Sequence, residues 1–346
     1  MNLQQSLQDM VDQKRIFSVA MKVERGDGSI LWSGSAGDMR VEDPYFIASV
    51  TKMYITVIMM KLIEDGKVSL DDKISRHLPD SFCDGLHIFK GVDYSRQLTI
   101  RHLISNTSGI PDYFFHKQEN GRTAADELLE GKDEAWPLDR TISLVKKLES
   151  NFIPGKKAAY SDSNYQLLGK VIEEVTGLPL SEVLKACIFD PLNLKHTYLY
   201  EDPKDTRPVP FYYGTKKLWL PTYMASIGPE GGIVSTIEEV MVFVKGFFSG
   251  VFFPTSRIAS MKQWKTIFPP PGLFLFGVGL EKLWIPWIFS PIKYPGEILG
   301  FWGQTGSFAF YNPKTDLYFC GTTNQIDGRG HRKATSLMVT TIKSLL

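Results

Sequence analysis

The chain has little cysteine, with three in 346 residues. Cys83, Cys187 and Cys320 lie far apart, the count is odd and no C-x-x-C spacing occurs. That excludes a disulfide framework and a cysteine zinc site, and leaves three buried or partly buried thiols. Histidine is scarce too. None of the six sits in an HExxH motif or an i, i+4 pair, so neither a metal nor any other cofactor is indicated. Neither sign of charge is in excess: 39 basic and 38 acidic residues give a net +1, without the basic surplus of a nucleic-acid-binding surface. Long apolar runs are missing. Val240–Pro254 is interrupted by Lys245, Gly246 and Gly250, and Leu283–Ile292 by Pro286 and Pro291, so no membrane-spanning helix, and no membrane contact, is expected. The first residues, MNLQQSLQDMVDQKRIF, lack the basic stretch and apolar core of a secretory leader. A cytoplasmic location is the default expectation, or an extracytoplasmic one if a leader has been removed.

The remaining composition is that of an ordinary globular protein, 43% hydrophobic and 22% charged, long enough for one large domain or two packed lobes. Helical spacing over 2–14 precedes two strand patterns, Phe17–Glu24 and Ser29–Ser35, joined by Gly26-Asp27-Gly28. A long helical pattern, Phe46–Gly66, follows, with Gly66 in the left-handed stop position. From about 67 to 225, short helical patterns alternate with loops. Thr99–Ser105, Asp139–Glu149, Asn164–Thr176 and Ser181–Ile188 are the clearest, with Ser181 as a capping residue. Strands return at Ser307–Tyr311 and Leu317–Thr323 around an Asn312–Asp316 loop, and Lys333–Leu346 reads as a closing helix. The pattern is α+β. It predicts a discontinuous sheet domain from 1–66 and 226–346 and a largely helical domain from 67–225.

Three local features bear on chemistry. Ser49-Val50-Thr51-Lys52 places a serine and a lysine on one helix face near an N-terminus, among apolar neighbours. A lysine there can take or relay the serine proton, and helix N–H groups can stabilise an oxyanion. Tyr160, on a loop before the Asn164–Thr176 helix, can aim its hydroxyl into a cleft and act as a base beside a lysine. Gly303-Gln304-Thr305-Gly306-Ser307 enters a strand, read as an edge strand against which a substrate can lie. Taken singly, each has an ordinary structural explanation: a solvated helix turn, a capping segment, a strand-entry turn.

In this order and at these intervals, the three resemble the signature of the serine β-lactamase and penicillin-binding-protein superfamily, in the branch of class C β-lactamases, D-alanyl-D-alanine carboxypeptidases and related esterases. Leu98–Pro111, Tyr160–Gly177, Pro191–Leu194 and Gly231–Thr236 resemble further segments of that branch, and the similarity runs from about residue 15 to the C-terminus. The resemblance implies an antiparallel sheet flanked by helices, with the active site in a cleft against the helical domain. It implies Ser49 as the acylated nucleophile and Lys52 and Tyr160 as the groups that move its proton. The backbone N–H groups of Ser49 and Ser307 would form the oxyanion hole, and Asp162, Gln304, Thr305 and Gly306 would meet substrate.

Two positions depart from the pattern. Gln304 replaces a frequent Lys or His, so it offers no cation to a substrate carboxylate. Asp162 replaces a usual Asn, adds negative charge near Lys52 and can bind an amine; the alternative is a capping residue that points away. Asn106 replaces a frequent His and reads as a structural change. Together these predict a serine hydrolase acting on an ester or amide of a small molecule or peptide, one without a free carboxylate or with a positive charge, with weak or no β-lactamase activity. The alternatives are a D-amino-acid peptidase or carboxypeptidase, an acyltransferase on the same scaffold, and a penicillin-binding or sensor module without turnover. The aromatic stretch Phe268–Trp302 reads as core between lobes, as an apolar wall or lid of the cleft, or as a membrane-facing patch. Oligomeric state is not set by any of these features.

Overall fold

A computed structural model describes residues 2–118, 120–267, 274–289 and 292–346. Its centre is an eight-stranded antiparallel sheet. The strands run, edge to edge, Lys265–Thr266, Phe274–Phe276, Glu281–Leu283, Leu299–Trp302, Ser307–Asn312, Leu317–Thr322, Ser18–Arg25 and Leu31–Gly37. Sequence-distant ends thus build one sheet: Ala20 faces Thr322 and Val23 faces Phe319. The Gly26–Gly28 turn and the Asn312–Asp316 loop join their strands as expected.

Side chains alternate across the sheet. Val19, Met21 and Val23, with Phe308, Phe310 and Phe319, pack under the first helix, Leu3–Met10, and the last, Arg329–Ser344, through Leu7, Leu337, Met338 and Ile342. The opposite face, with Ala20, Phe301, Ala309 and Cys320, joins a larger core that includes Phe243 and Val244 of the helix Ile237–Ser249. Cys83 and Cys320 are buried and Cys187 partly so, all as free thiols.

The expected helices are present with shifted ends. The segment beginning at Phe46 is not helical throughout: Tyr45–Phe46 pairs with Val234–Ser235, Ala48 adopts φ 46°, and the helix proper runs Thr51–Glu64. Its apolar start fits a buried strand and a buried helix equally well, so hydrophobicity could not mark the junction. Gly66, at φ 68°, ends it as predicted. The Asp139–Glu149 pattern forms Leu138–Val145. The Ser181–Ile188 pattern forms Leu180–Leu184, with Pro179 rather than Ser181 at its cap, and continues through a widened turn in which Asp190 N–H reaches Lys185 C=O. The last helix starts one turn early, at Arg329. No described helix is long and apolar enough to cross a membrane.

Candidate active site

Ser49 sits where the chain turns from strand to helix. The left-handed Ala48 makes the corner, and Gly231 lies against its backbone, 3.6 Å from where a Cβ would stand. Three residues on, Lys52 is fully buried. Its Nζ donates to Ser49 Oγ at 3.0 Å and to the Glu230 carbonyl at 2.6 Å, and lies 2.7 Å from Asp162 Oδ1. The first two contacts are hydrogen bonds, while Asp162 Oδ1 is an ion-pair partner without hydrogen-bond geometry. The charge also lies over the rings of Tyr160 and Tyr165, 5.1 and 5.3 Å from their centroids. Asp162 is therefore not a carboxylate pointing away. It opens the helix Asp162–Thr176 one residue after the capping position, which Ser161 occupies.

Tyr160 is positioned by Asn106. This residue, at φ 54°, accepts the Ala159 N–H on its carbonyl and the Ser161 N–H on its side-chain oxygen, clamping the backbone on both sides of Tyr160. The same Oδ1 accepts from Asn164 Nδ2 at 2.8 Å. The structural role read for Asn106 is thus the anchoring of the Tyr160 loop. Burial pushes the Tyr160 phenol well above its ordinary range, as do the charges of Asp162 and Glu281, while a hydrogen bond with Ser49 pulls the other way.

Gly303–Ser307 corrects one expectation. It is the hairpin turn between Leu299–Trp302 and Ser307–Asn312, both interior to the sheet, and not part of an edge strand. The turn is stitched to the chain leading into Ser49: Thr305 Oγ1 donates to Phe46 C=O at 2.9 Å and Ser307 Oγ to Ile47 C=O at 2.6 Å. Gly303 permits this approach, since a Cβ there would stand 2.0 Å from Ser307 Oγ. Gly306 turns the chain at φ 82°. The bond from Thr323 N–H to Gly306 C=O makes Ser307–Thr322 a non-hydrogen-bonded pair, so the Ser307 N–H faces the turn. The Gly303 carbonyl opposite is already taken by Gly306 N–H and by His331 Nε2 at 2.9 Å.

Two cavities meet at Ser49, Asp162 and Gln304. One is walled by apolar side chains including Phe114, Phe211, Leu220 and Met224, with Tyr223 and Glu230 among its polar lining. The other is lined by Tyr160, Phe274, Glu281, Trp302 and His331. The aromatic stretch divides accordingly. Phe276 and Phe301 are core, Phe274 and Trp302 face the cleft, and Trp287 is 66% exposed. Phe268 and the side chain of Phe289 lie outside the described residues.

Sequence reasoning missed three acids, the buried Glu230 and Glu281 and the half-buried Asp112. Glu230 is 2% exposed, with Oε1 accepting from Tyr113 OH and Oε2 without a partner among the described residues. Asp112 lies close enough to Asp162 to feel its charge. Burial holds both carboxyls well above the usual range, Asp162 pushes the same way, and Lys52 offsets part of the effect. Glu281 is pushed by burial to about 8. In the sequence these acids stand in unremarkable loop and strand contexts; only the fold brings them toward Lys52.

Solved structures share this layout. A D-stereospecific amidohydrolase from Streptomyces sp. superposes with a TM-score of 0.79 at 24% identity, covering 96% of each chain. The hydrolase EstCE1, described as having promiscuous acyltransferase activity, superposes with a TM-score of 0.79 at 24% identity, covering 99% of this chain and 97% of that one. At these identities the likeness is one of fold. By sequence, 154 residues are 32% identical to a protein of Salmonella agona (strain SL483) provisionally named a D-alanyl-D-alanine carboxypeptidase. The match covers 44% of this chain and 33% of that protein, so the chain spans about a third of the length of the curated relatives it matches. The profile described as Beta-lactamase matches residues 3–339, nearly the whole chain. With the S-x-x-K helix, the tyrosine loop and the hairpin turn converging on one cleft, the chain belongs to the beta-lactamase family.

Proposed function

We propose that the protein is a serine hydrolase that cleaves esters or amides through an acyl-enzyme on Ser49. The observation that carries this reading is the Ser49–Lys52 contact at 3.0 Å, beside Tyr160 and at the junction of two cavities. The cleft lies where the proposed sheet domain, 1–66 and 226–346, meets the helical one, 67–225.

Lys52, hydrogen-bonded to Ser49 and to the Glu230 carbonyl and paired with Asp162, serves as a positive charge that stabilises the Ser49 oxygen as it becomes nucleophilic. Tyr160, held neutral at rest, accepts the Ser49 proton as its own phenolic proton passes to the leaving group. The new bond joins Ser49 Oγ to the acyl carbon, the bond to the leaving oxygen or nitrogen breaks, and the leaving group departs protonated. The N–H groups of Ser49 and Ser307 hold the oxyanion, and Thr305 and Gly306 fix the turn beside it. Water then reverses the relay and frees Ser49; an alcohol or amine in its place would give acyl transfer. Neutral Gln304 beside acidic Asp162 disfavours substrates with a carboxylate near the reacting carbonyl, so β-lactams and carboxypeptidase substrates rank below esters and simple amides.

Intact-protein mass after exposure to a fluorophosphonate, a p-nitrophenyl ester or benzylpenicillin tests this. The expected result is a covalent fluorophosphonate adduct and ester turnover for wild type, with neither for Ser49→Ala. Equal labelling and turnover in the Ser49→Ala protein would overturn the assignment, and rapid penicillin turnover would overturn the substrate ranking.

A further inference from the structure

Part of the aromatic stretch before the hairpin turn takes no part in the cleft or the core. Trp287, Ile288 and Ile292 are 66%, 69% and 95% exposed, and Tyr294 is exposed beside them. Single exposed apolar side chains are ordinary, but three large ones within a six-residue span make a patch that calls for a partner. They belong to the long connection between the strands Glu281–Leu283 and Leu299–Trp302, where Trp287 and Ile288 share one helical turn. Lysines adjoin them. Lys314, on the neighbouring Asn312–Asp316 loop, donates to the Tyr294 carbonyl at 2.8 Å, and Lys293 donates to the Lys343 carbonyl at 3.2 Å. Among the described residues Lys314 and Lys343 have no carboxylate partner. The acids close by are engaged elsewhere: Glu297 pairs with Lys262 and Lys282, and Asp316 accepts from Tyr311 OH. Topology sets this patch apart from the nucleophile. The connection enters the strand Leu299–Trp302 at the end away from the Gly303–Ser307 turn. The last helix covers the same span: His331, near its start, bonds the Gly303 carbonyl, and Lys343, about 18 Å along at the helical rise, meets Lys293.

We infer that this end of the sheet seats the protein on an anionic lipid surface. Trp287, Ile288 and Ile292 enter the headgroup region, where indole and aliphatic groups are favoured, and Lys293, Lys314 and Lys343 lie over the lipid phosphates. Charge decides for lipid over a second copy of the chain, because two such patches face to face would set lysine against lysine. No described helix is fit to span a bilayer, so the contact is made at its surface. Hydropathy along the chain does not reveal the patch, since the fold assembles it from three separate segments. The Gly303–Ser307 turn, at the far end of its strand, points away from the lipid and leaves the cleft in water. The inference is therefore independent of the acyl group that Ser49 takes.

Co-sedimentation of the full chain with vesicles tests this, using phosphatidylcholine alone and phosphatidylcholine mixed equally with phosphatidylglycerol. Wild type should bind the mixed vesicles tenfold or more tightly than the neutral ones, and raised salt should weaken that binding. Trp287→Ser combined with Ile288→Ser and Ile292→Ser should lower affinity for the mixed vesicles at least tenfold. Lys314→Gln and Lys343→Gln should each lower it roughly fivefold. All these side chains lie at the surface, so the urea midpoint of each variant should match wild type and confirm that it is folded. A folded wild type that sediments with neither vesicle, or a triple serine variant that binds as wild type does, overturns the inference. So does a wild type that is dimeric without lipid and becomes monomeric in the triple serine variant, a result that would give the patch to a second copy.

Discussion

Glu281→Gln isolates the cost of one buried acid. Glu281 is 1% exposed on an interior strand, and its Oε2 accepts the Trp302 N–H at 2.9 Å. That bond and the charge of Lys52 favour ionisation, but burial outweighs them and raises the carboxyl from 4.5 to about 8. The native protein therefore holds this proton across a range in which the unfolded chain has released it. Wherever the native state binds the extra proton, stability falls with rising pH, by about 1.4 kcal/mol per unit. The contribution is fully present below pH 4.5 and is lost as pH rises to about 8. Between pH 5 and pH 8 the loss amounts to roughly 3 to 4 kcal/mol. Glutamine has the shape of the protonated acid, and its amide oxygen can still accept from Trp302, so the variant is free of this titration. Urea unfolding followed by tryptophan fluorescence, repeated from pH 5 to pH 8, should show the variant gaining on wild type by that amount. Parallel stability curves would refute the argument, because they would mean that Glu281 ionises alike in the folded and unfolded chain. Activity carries a second signature. The Glu281 charge is one cause of the raised Tyr160 phenol, so the variant's pH–rate profile should lose whatever part of the alkaline change comes from ionising this acid.

Gln304→Lys supplies the cation the cleft lacks. A charge-assisted hydrogen bond to a carboxylate contributes about 1.5 to 3 kcal/mol, so acylation by benzylpenicillin, followed by intact mass, should accelerate by tenfold or more; an unchanged rate would show that the side chain at 304 does not meet that carboxylate. Gly279→Ala strikes the floor of the nucleophile helix. Gly279 has φ +64° and a Cβ there would stand 2.2 Å from Thr56 Oγ1, which bonds the Lys52 carbonyl. Left-handed strain and overpacking together predict a loss of roughly 2 to 5 kcal/mol, read as a lowered urea midpoint.

What the sequence made legible was set by local chemistry. Ser49 and Lys52 share a helix turn, so spacing alone put them on one face. Asn106 and Tyr160 lie in segments whose resemblance to relatives spans many residues. The hairpin around Asn312–Asp316 follows from its turn residues. The rest depends on contacts between distant segments. Glu230 reaches Lys52 from 178 positions away, through its backbone carbonyl, which no side-chain pattern encodes. The placement of Gly303–Ser307 in an interior turn depends on Leu299–Trp302 pairing back on Ser307–Asn312, and the short, aromatic-rich strands before it carry no clear alternation. The helix start at Thr51 was obscured because both the preceding strand and the helix are buried on every side.

The same contacts set the charge of the cleft, and this governs chemistry as much as the nucleophile does. A serine, lysine and tyrosine in this arrangement can attack almost any activated acyl group. What distinguishes one substrate from another is the potential at the reacting carbon, and here the lysine is paired with Asp162 while the hairpin turn contributes a neutral glutamine. Such a field opposes a substrate carboxylate twice, through the missing cation at 304 and through the acid at 162. Since Asp162 also pairs with the lysine that contacts Ser49, the acid at the mouth of both cavities and the nucleophile's neighbour form one ion-paired unit.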